Sequence, residues 1–285
     1  KMNLAIRGIA HNLGEKNAST FTEDLHKDRK VDFIMANPPF NLKGWRKEDE
    51  LTDDYRWRGY SVPRASNANY AWILHMISKL DVNHGIAGFL LANGALNDPD
   101  EFEIRKQLLE NDKVEAIIVL PRDMFYTTDI SVTLWIVNMN KKAGVVNGRQ
   151  LRDRTNEILF MDLRRWDNNI EEIVIDKGKK KKKTVLTDEQ IAEIKKVYSA
   201  WQSADKSEYK NEPEFCQSAT ISDLRAHNYT LAPSKYIEFI DHDLDINYEK
   251  EMARIQIEMQ DVMKAEKKSQ LMLEEAFRGI GYGID

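Results

Sequence analysis

Apolar residues along the chain fall into two patterns. Short continuous runs that end at proline, glycine or polar residues are typical of buried strands, and longer segments with apolar residues at three- and four-residue steps are typical of helices. The predicted strands are residues 31–36, 86–91, 114–120, 132–137 and 157–162. The predicted helices are residues 2–9, 69–80, 101–111, 188–201 and 248–277, and residues 221–229 and 233–236 are predicted to be irregular.

The order of these elements predicts an α/β fold. Most of the strands are separated by helices, so we expect parallel strands joined by crossover helices in a doubly wound sheet. Residues 114–120 and 132–137 are only about a dozen residues apart, which is too few for a crossover helix, so this pair is predicted to be an antiparallel hairpin at the edge of the sheet.

Composition limits the class of protein. At 285 residues and 42 % hydrophobic content, the chain can bury one large core or two smaller ones. It has no run of about 18 apolar residues and no signal pattern at its amino end, so we expect a cytoplasmic location and no membrane partner. Its one cysteine, Cys216, and the spacing of its six histidines predict neither an internal disulfide framework nor a metal site.

The formal charge of −5 has the wrong sign for a protein that grips a phosphate backbone unaided. Any affinity for DNA must therefore be local or supplied by a partner. Residues 41–66 offer a local candidate, because basic and aromatic side chains are interleaved there. They are Lys43, Arg46, Lys47, Arg56, Arg58 and Arg64 with Trp45, Tyr55, Trp57 and Tyr60. Two interpretations are equal. Either a nucleic acid lies over this loop, or the loop is solvated and its acidic residues cancel the positive electrostatic field of the basic ones.

Two later segments concern surfaces. Lys177 and residues 179–183 form a basic run, which we interpret as a solvated loop rather than a DNA-binding tail. Residues 248–277 contain no glycine or proline and carry an apolar stripe with heptad spacing, which predicts one long helix. Packing against a partner helix and packing against its own domain are both open for this stripe.

The most informative short motif is Asn37-Pro38-Pro39-Phe40, which directly follows the predicted strand 31–36. It is therefore expected at the carboxyl end of a strand, where open α/β sheets bind their ligands. The two prolines stiffen the turn, so acceptors on Asn37 and Pro38 lose little entropy when a substrate binds.

These residue types suit a planar group that carries an amine. The Asn37 side-chain oxygen and the Pro38 carbonyl can each accept one hydrogen from an exocyclic –NH2 group, which favours a nitrogen lone pair able to attack an electrophilic methyl group. Phe40 would stack on the ring, a contact worth about 1–3 kcal/mol. Amine methylation is the favoured interpretation, and a core-filling turn is the alternative.

Further segments accompany the tetrapeptide. They are residues 2–9, 32–41, 66–73, 90–96, 119–125 and 228–236. Together they resemble the modification subunit of type I restriction-modification systems, which is a DNA adenine-N6 methyltransferase. The combination is specific, whereas the tetrapeptide alone also occurs in methyltransferases that act on other amines.

The resemblance implies a Rossmann-like, S-adenosylmethionine-dependent methyltransferase sheet with a carboxyl-terminal helical extension. It implies methylation of adenine N6 in double-stranded DNA. Asn37, Pro38, Pro39 and Phe40 would then form the pocket for an adenine flipped out of the duplex.

The resemblance also implies a cofactor and partners. Asp24, Leu25 and Asn37 would contact S-adenosylmethionine, with Asp24 accepting from its adenine amine. The implied partners are a specificity subunit, a second modification subunit and, in the full complex, a restriction subunit. The helix at residues 248–277 matches the region that the family uses against the specificity subunit.

The expected domains are a methyltransferase catalytic domain over residues 1–165, truncated at its amino end, a peripheral helical and irregular region over 166–247, and a helix and tail for partner contact over 248–285. The family's glycine-rich cofactor loop is expected upstream of the first matched segment. Two alternatives are therefore open: a non-catalytic module that binds the specificity subunit, and a methyltransferase that acts on an RNA base or on glutamine.

Overall fold

The computed structural model describes residues 2–126, 128–174, 180–205, 208–240 and 248–279. These residues belong to two compact units, Lys1–Phe239 and Ile240–Asp285. The expected division after residue 165 stays a prediction. Two predicted features, the start of the basic run at Lys177 and Lys179 and the tail after Gly279, lie outside the described residues.

Helices and strands alternate through the first unit. The helices are α1 (Met2–Ile6), α2 (Asn69–Lys79), α3 (Phe102–Glu110), α4 (Asp188–Gln202), α5 (Ile221–Ala226) and, in the second unit, α6 (Tyr248–Gly279). The strands are β1 (Phe33–Ala36), β2 (Ile86–Ala92), β3 (Val114–Val119), β4 (Val132–Asn138), β5 (Gly144–Val146), β6 (Arg149–Leu151), β7 (Glu157–Asp162), β8 (Ile170–Val174), β9 (Lys180–Thr184) and β10 (Cys216–Thr220).

Six strands form one mixed sheet in the order β1-β2-β4-β3-β7-β10. β1 is parallel to β2 and β3 is parallel to β7, whereas β4 is antiparallel to both β2 and β3, and β10 is antiparallel to β7. Strands β1, β2, β3 and β7 therefore point the same way, and we call the edge where they end the carboxyl edge. The predicted mixed α/β fold is confirmed.

The antiparallel pairing of β3 with β4 is confirmed, but its predicted position at the sheet edge is wrong. β4 lies between β2 and β3, where Trp135 is opposite Phe89 on one side and Ile117 on the other. The physical reason is that pairing with β3 uses one edge of β4 and leaves its other edge free, and β2 pairs with that edge. The short connection between two strands reveals their direction but not their other neighbours.

β1 is an end strand, and only one of its faces is covered. Ile34 and Ala36 pack against the main core, whereas Phe33 and Met35 are 72 % and 93 % exposed. The prediction of a buried strand is therefore wrong for Phe33 and Met35. An apolar run makes both faces of a strand apolar, and only tertiary packing decides which of them is covered.

One element near the end of the first unit, α5, differs from the prediction that residues 221–229 are irregular, and the strand before it, β10, lies in a segment for which no element was predicted. α5 begins at a capping box, in which Thr220 Oγ1 accepts from Asp223 N–H at 3.3 Å and the Asp223 carboxylate accepts from Thr220 N–H at 2.8 Å. The strand before it, β10, pairs with β7 from Cys216 opposite Met161 to Thr220 opposite Glu157. Its sequence is largely polar, so no apolar pattern indicated a strand.

The described part of the lysine run is also ordered. Residues 180–183, predicted to belong to a solvated loop, lie in β9 and pair antiparallel with β8. The polar segment 141–156 likewise contains the small β5–β6 hairpin. Cross-strand pairing can hold polar strands in register without an apolar face, which is why the hydrophobic pattern did not reveal them.

Helices cover both faces of the sheet. On one face, α2 and α3 supply Ile73, Leu74 and Leu108 to a core shared with Phe89 and Trp135. On the other face, α4 supplies Val197 and Trp201 to a second core shared with Ile118, Leu159 and Met161. The predicted helices at α2, α3 and α4 are confirmed.

The second unit contains α6, which has 32 residues and no buried side chain, so the prediction of one long helix is confirmed. Its exposed apolar residues include Met252, Ile255, Met259 and Val262. None of the helices in the described ranges is both long and apolar enough to cross a membrane.

Candidate active site

The tetrapeptide Asn37-Pro38-Pro39-Phe40 lies at the carboxyl edge, directly after β1. The last residue of β1, Ala36, pairs with Phe89 of β2, so the start of the turn is fixed to the sheet. Asn37 and Pro39 are exposed, Pro38 is buried and Phe40 is half-buried. The turn therefore presents Asn37 to solvent while Pro38 anchors it.

The acceptors of this turn are available. Within the described ranges, no group hydrogen-bonds to the Asn37 side chain or to the Pro38 carbonyl. Both prolines have a fixed φ, which limits the motion of the turn. A rigid pair of acceptors without partners is the arrangement that an exocyclic amine can bind with little entropic cost.

The residue after the tetrapeptide is held by α2. Asn41 has the left-handed φ of +52°, a conformation that asparagine tolerates better than most residues. The Asn41 N–H donates to Asn69 Oδ1 at 2.9 Å, and Asn69 Nδ2 donates to Asn41 Oδ1 at 2.8 Å. Asn69 is 2 % exposed. The carboxyl end of the turn is therefore fixed by a buried side chain at the start of α2.

A cavity of about 280 Å³ adjoins the tetrapeptide on the α2 side of β1. Its lining is formed by Thr20, Ile34, Ala36, Asn37, Pro38, Trp72, His75, Met76 and Lys79. Among the described residues, none supplies a hydrogen-bond acceptor to the buried Trp72 indole N–H. Side chains of Pro38, Trp72 and Met76 make much of this lining apolar, which suits a planar ligand.

A larger cavity of about 600 Å³ shares Thr20, Ile34, His75 and Lys79 with the smaller one, so the two adjoin. Asp24 and Leu25, the predicted cofactor residues, line the larger cavity, whereas Asn37 lines the smaller one. The structure therefore places these three residues around neighbouring spaces.

The Asp24 carboxylate already has internal partners. Lys79 Nζ lies 2.5 Å from Asp24 Oδ2, the Tyr55 hydroxyl donates to it at 3.1 Å and the His26 N–H donates at 3.0 Å. Burial alone would raise the pKa of Asp24, but these partners outweigh burial and lower it. This geometry favours a structural ion pair that fixes the segment before β1 to the end of α2.

His75 lies in the wall that the two cavities share. Burial and the nearby Arg56 guanidinium lower its pKa to about 4, so the imidazole is neutral at neutral pH. Arg56 Nη1 lies 3.4 Å from His75 Nδ1. The shared wall therefore carries a neutral ring.

The end of β2 contributes a second asparagine to the carboxyl edge. Asn93 Oδ1 accepts from the Thr133 hydroxyl at 2.7 Å, and Asn93 Nδ2 donates to Ser131 Oγ at 3.2 Å. Ser131 in turn donates to the Leu120 carbonyl at 2.6 Å. Unlike Asn37, Asn93 is thus engaged in holding the ends of neighbouring strands together.

Many of the basic and aromatic side chains in the loop at residues 41–66 are buried and hold the loop together. Trp45 and Trp57 are buried, and their indole N–H groups donate to backbone carbonyls. Arg46 and Arg56 are 9 % and 4 % exposed and donate to backbone carbonyls, and Arg56 also binds Asp54 at 2.7 Å. The exposed basic residues are Lys43, Lys47, Arg58 and Arg64. Contact between these four residues and a nucleic acid stays a prediction.

Several residues of this site were not singled out from the sequence. Trp72, His75 and Met76 line the smaller cavity from α2, and Asn69 holds the turn from its start. Their three- and four-residue spacing showed that they share a helix face. It did not show that β1 lies opposite that face, because this depends on the sheet order.

Comparisons with known proteins agree on one family. The chain matches the N-6 DNA Methylase family model over residues 1–244. It is 34 % identical over 284 residues to the HindI methylase subunit, a type I restriction enzyme subunit from Haemophilus influenzae, which covers 99 % of this chain and 58 % of the relative. The MjaIX methylase subunit of a type I restriction enzyme from Methanocaldococcus jannaschii is 31 % identical over 287 residues, covering 99 % and 48 %.

A solved structure is also similar. The methyltransferase subunit of a type I restriction-modification system from Streptococcus thermophilus aligns with a TM-score of 0.63 and 26 % identity, covering 84 % of this chain and 45 % of that one. The chain spans about half the length of the curated relatives it matches. Since the family model matches most of the sequence, including the tetrapeptide and the whole main sheet, the chain belongs to the N-6 DNA methylase family.

Proposed function

We propose that this chain carries the target-base pocket of an adenine-N6 DNA methyltransferase, as part of the modification subunit of a type I restriction-modification complex. The observation that carries the proposal is the rigid, unpartnered pair of acceptors on Asn37 and Pro38 at the carboxyl edge. Family membership supports the same reaction.

In this proposal, each residue of the tetrapeptide has one task. The Asn37 side-chain oxygen and the Pro38 carbonyl accept the two hydrogens of the adenine amine and orient its lone pair. Pro39 keeps the turn stiff, and Phe40 stacks on the face of a base flipped out of the duplex. The site needs no charged base, because the amine loses a proton to solvent after it is methylated.

S-adenosylmethionine would supply the electrophilic methyl group. The smaller cavity suits part of such a molecule, because its lining is largely apolar and includes Pro38, Trp72 and Met76. Asn37 borders this cavity, and Leu25 borders the larger one beside it. Asp24 would contribute to cofactor binding mainly by fixing Lys79 and the segment before β1, since its carboxylate is already engaged.

The proposed partners are double-stranded DNA, a specificity subunit, a second modification subunit and, in the full complex, a restriction subunit. The relatives are described as methylase subunits of type I restriction enzymes, which supports an assembly of this kind. Exposed apolar residues along α6 supply a surface for the specificity subunit. A cytoplasmic location follows from this proposal.

The molecule that receives the methyl group can be identified directly. The protein that carries this chain, assembled with its partner subunits, is incubated with methyl-labelled S-adenosylmethionine and unmethylated duplex DNA, RNA or protein. We expect the label in N6-methyladenine after hydrolysis of the DNA. Label in RNA or in glutamine side chains, with none in DNA adenine, would overturn the proposal.

A further inference from the structure

The described part of the lysine run forms one strand of a two-stranded hairpin. Lys180 to Lys183 are consecutive in β9, and β8 pairs with them in antiparallel register, with Glu172 opposite Lys182 and Glu171 opposite Lys183. Because side chains alternate along a strand, Lys180 and Lys182 share one face and Lys181 and Lys183 share the other.

One face of the hairpin is fixed to the loop that follows β3. Lys181 forms an ion pair with Asp129 and donates to the Tyr126 carbonyl at 3.1 Å. Lys183 Nζ lies 5.0 Å from the centre of the Tyr126 ring. At the end of β9, the Thr184 N–H donates to the Asp123 carbonyl at 3.0 Å.

These contacts place the hairpin at the carboxyl edge. β3 is parallel to β1, so the loop after β3 emerges on the same edge as the tetrapeptide after β1. Two strands, β2 and β4, separate them. Three strand spacings of about 4.8 Å put the two loops roughly 14 Å apart along the edge, the rise of about four base pairs of duplex.

The other face of the hairpin is exposed and basic. Lys180 and Lys182 are exposed. Lys180 Nζ forms an ion pair with Glu172 Oε2 at 2.9 Å. The described part of the hairpin, residues 170–174 and 180–184, has four lysines and two acidic residues, in a chain whose net charge is −5. A concentration of positive charge against the sign of the whole chain, next to the candidate active site, suits a polyanion that lies over that edge.

We propose that the β8–β9 hairpin binds the phosphate backbone of duplex DNA a few base pairs from the adenine held by Asn37. Lys180 and Lys182 contact phosphates, and Lys181 and Lys183 anchor the hairpin to the loop after β3. The proposal rests on the proposed function for its partner. It adds a surface that positions the duplex without reading its sequence.

The test uses the assembled protein and two matched double variants. Lys180→Gln with Lys182→Gln removes two charges from the hairpin, and Lys195→Gln with Lys196→Gln removes two exposed charges from α4. The equilibrium constant for binding of the protein to duplex DNA is measured from low to moderate salt concentration. For the hairpin variant we expect the slope of log K against log salt to become shallower by roughly 2, because each phosphate contact contributes about 0.9.

The α4 variant is expected to keep both the slope and the kcat of the unchanged protein. An unchanged slope in the hairpin variant would overturn the proposal. So would an equal loss of slope in both variants, which would indicate an effect of net charge alone. Absence of duplex binding by the unchanged protein, or a slope change seen only with RNA, would also overturn it. DNA binding without adenine methylation would contradict the proposed function and leave the slope test intact.

Discussion

Asn41 and the Asn69 side chain form a closed pair of hydrogen bonds across 28 residues of sequence, in which the Asn41 backbone N–H donates to Asn69 Oδ1 at 2.9 Å and Asn69 Nδ2 donates to Asn41 Oδ1 at 2.8 Å. Asn41 is the first residue after the tetrapeptide, and Asn69 is the first residue of α2. Phe40 therefore lies between a proline of fixed φ and an asparagine whose backbone and side chain are both held. We infer that this pair positions Phe40 and, through the stiff turn, the acceptors before it.

Single and double substitutions test this pair of hydrogen bonds, because each single variant keeps one acceptor and the double variant disrupts the pair. Asn41→Asp keeps an acceptor for Asn69 Nδ2, and Asn69→Asp keeps an acceptor for the Asn41 N–H. The double variant places two carboxylates against each other. We expect each single variant to keep most of its kcat and the double variant to lose roughly 10- to 100-fold, because small displacements at a reacting group have effects of this size.

Steady-state methylation measures the loss of kcat, and hydrogen exchange of residues 37–45 measures the mobility of the turn. The double variant should show faster exchange in that segment and a KM for S-adenosylmethionine close to that of the unchanged protein. Thr187→Ala, which removes the N-cap of α4 far from the turn, serves as a stability control. Wild-type kcat and exchange in the double variant would refute the positioning role.

Two titratable groups, the half-buried His75 and the buried Glu101, make the stability of the chain depend on pH in opposite directions. Burial and the Arg56 guanidinium lower the pKa of His75 to about 4 from 6.5, so its contribution to stability is present above pH 6.5 and is lost as the pH falls towards 4. Burial raises the pKa of Glu101 to about 7 from 4.5, so its contribution is present below pH 4.5 and is lost as the pH rises towards 7.

Urea unfolding between pH 4 and pH 7.5 separates the two groups. Each group changes the free energy of unfolding by up to about 1.4 kcal/mol per pH unit within its window. We expect His75→Gln to reduce the fall in stability on the acidic side and Glu101→Gln to reduce the fall towards neutral pH. Identical pH profiles for either variant and the unchanged chain would show that the group is not buried as described.

The apolar stripe of α6 is expected to bind the specificity subunit. Ile255→Asp with Met259→Asp should abolish co-purification with that subunit, as should deletion of residues 248–285, because association depends on burying exposed apolar side chains. The matched control is Asp261→Asn with Lys264→Gln, which removes an exposed ion pair and leaves the net charge unchanged. Co-purification that survives the aspartate substitutions would remove this role from the helix.

The sequence predicted the strands and helices that have strong apolar patterns, and the direction of β4 relative to β3. It did not predict that β4 lies between β2 and β3, because that order is decided by packing on both faces of the sheet. For the same reason it did not show that Met35 is exposed although its run is apolar. Polar strands such as β9 and β10 have no hydrophobic pattern, and only their partners identify them.

The candidate site was predictable to the extent that it lies within one short segment. The tetrapeptide follows a strand, and a strand end in such a sheet is a ligand site. Asn69 and Trp72 join it through the packing of α2 against β1, which no local pattern encodes. Asp24 is the opposite case. Its position in the sequence predicted a contact with the cofactor, whereas its carboxylate is already paired with Lys79.

Asn37 is proposed to hold the amine that is methylated. The most direct measurement is the amount of N6-methyladenine formed in duplex DNA by the assembled protein with Asn37→Ala, at saturating S-adenosylmethionine and DNA. We expect loss of methylation by roughly 100-fold or more, since one acceptor to the reacting group is removed, with assembly and DNA binding intact. Adenine methylation at the rate of the unchanged protein would contradict this proposal.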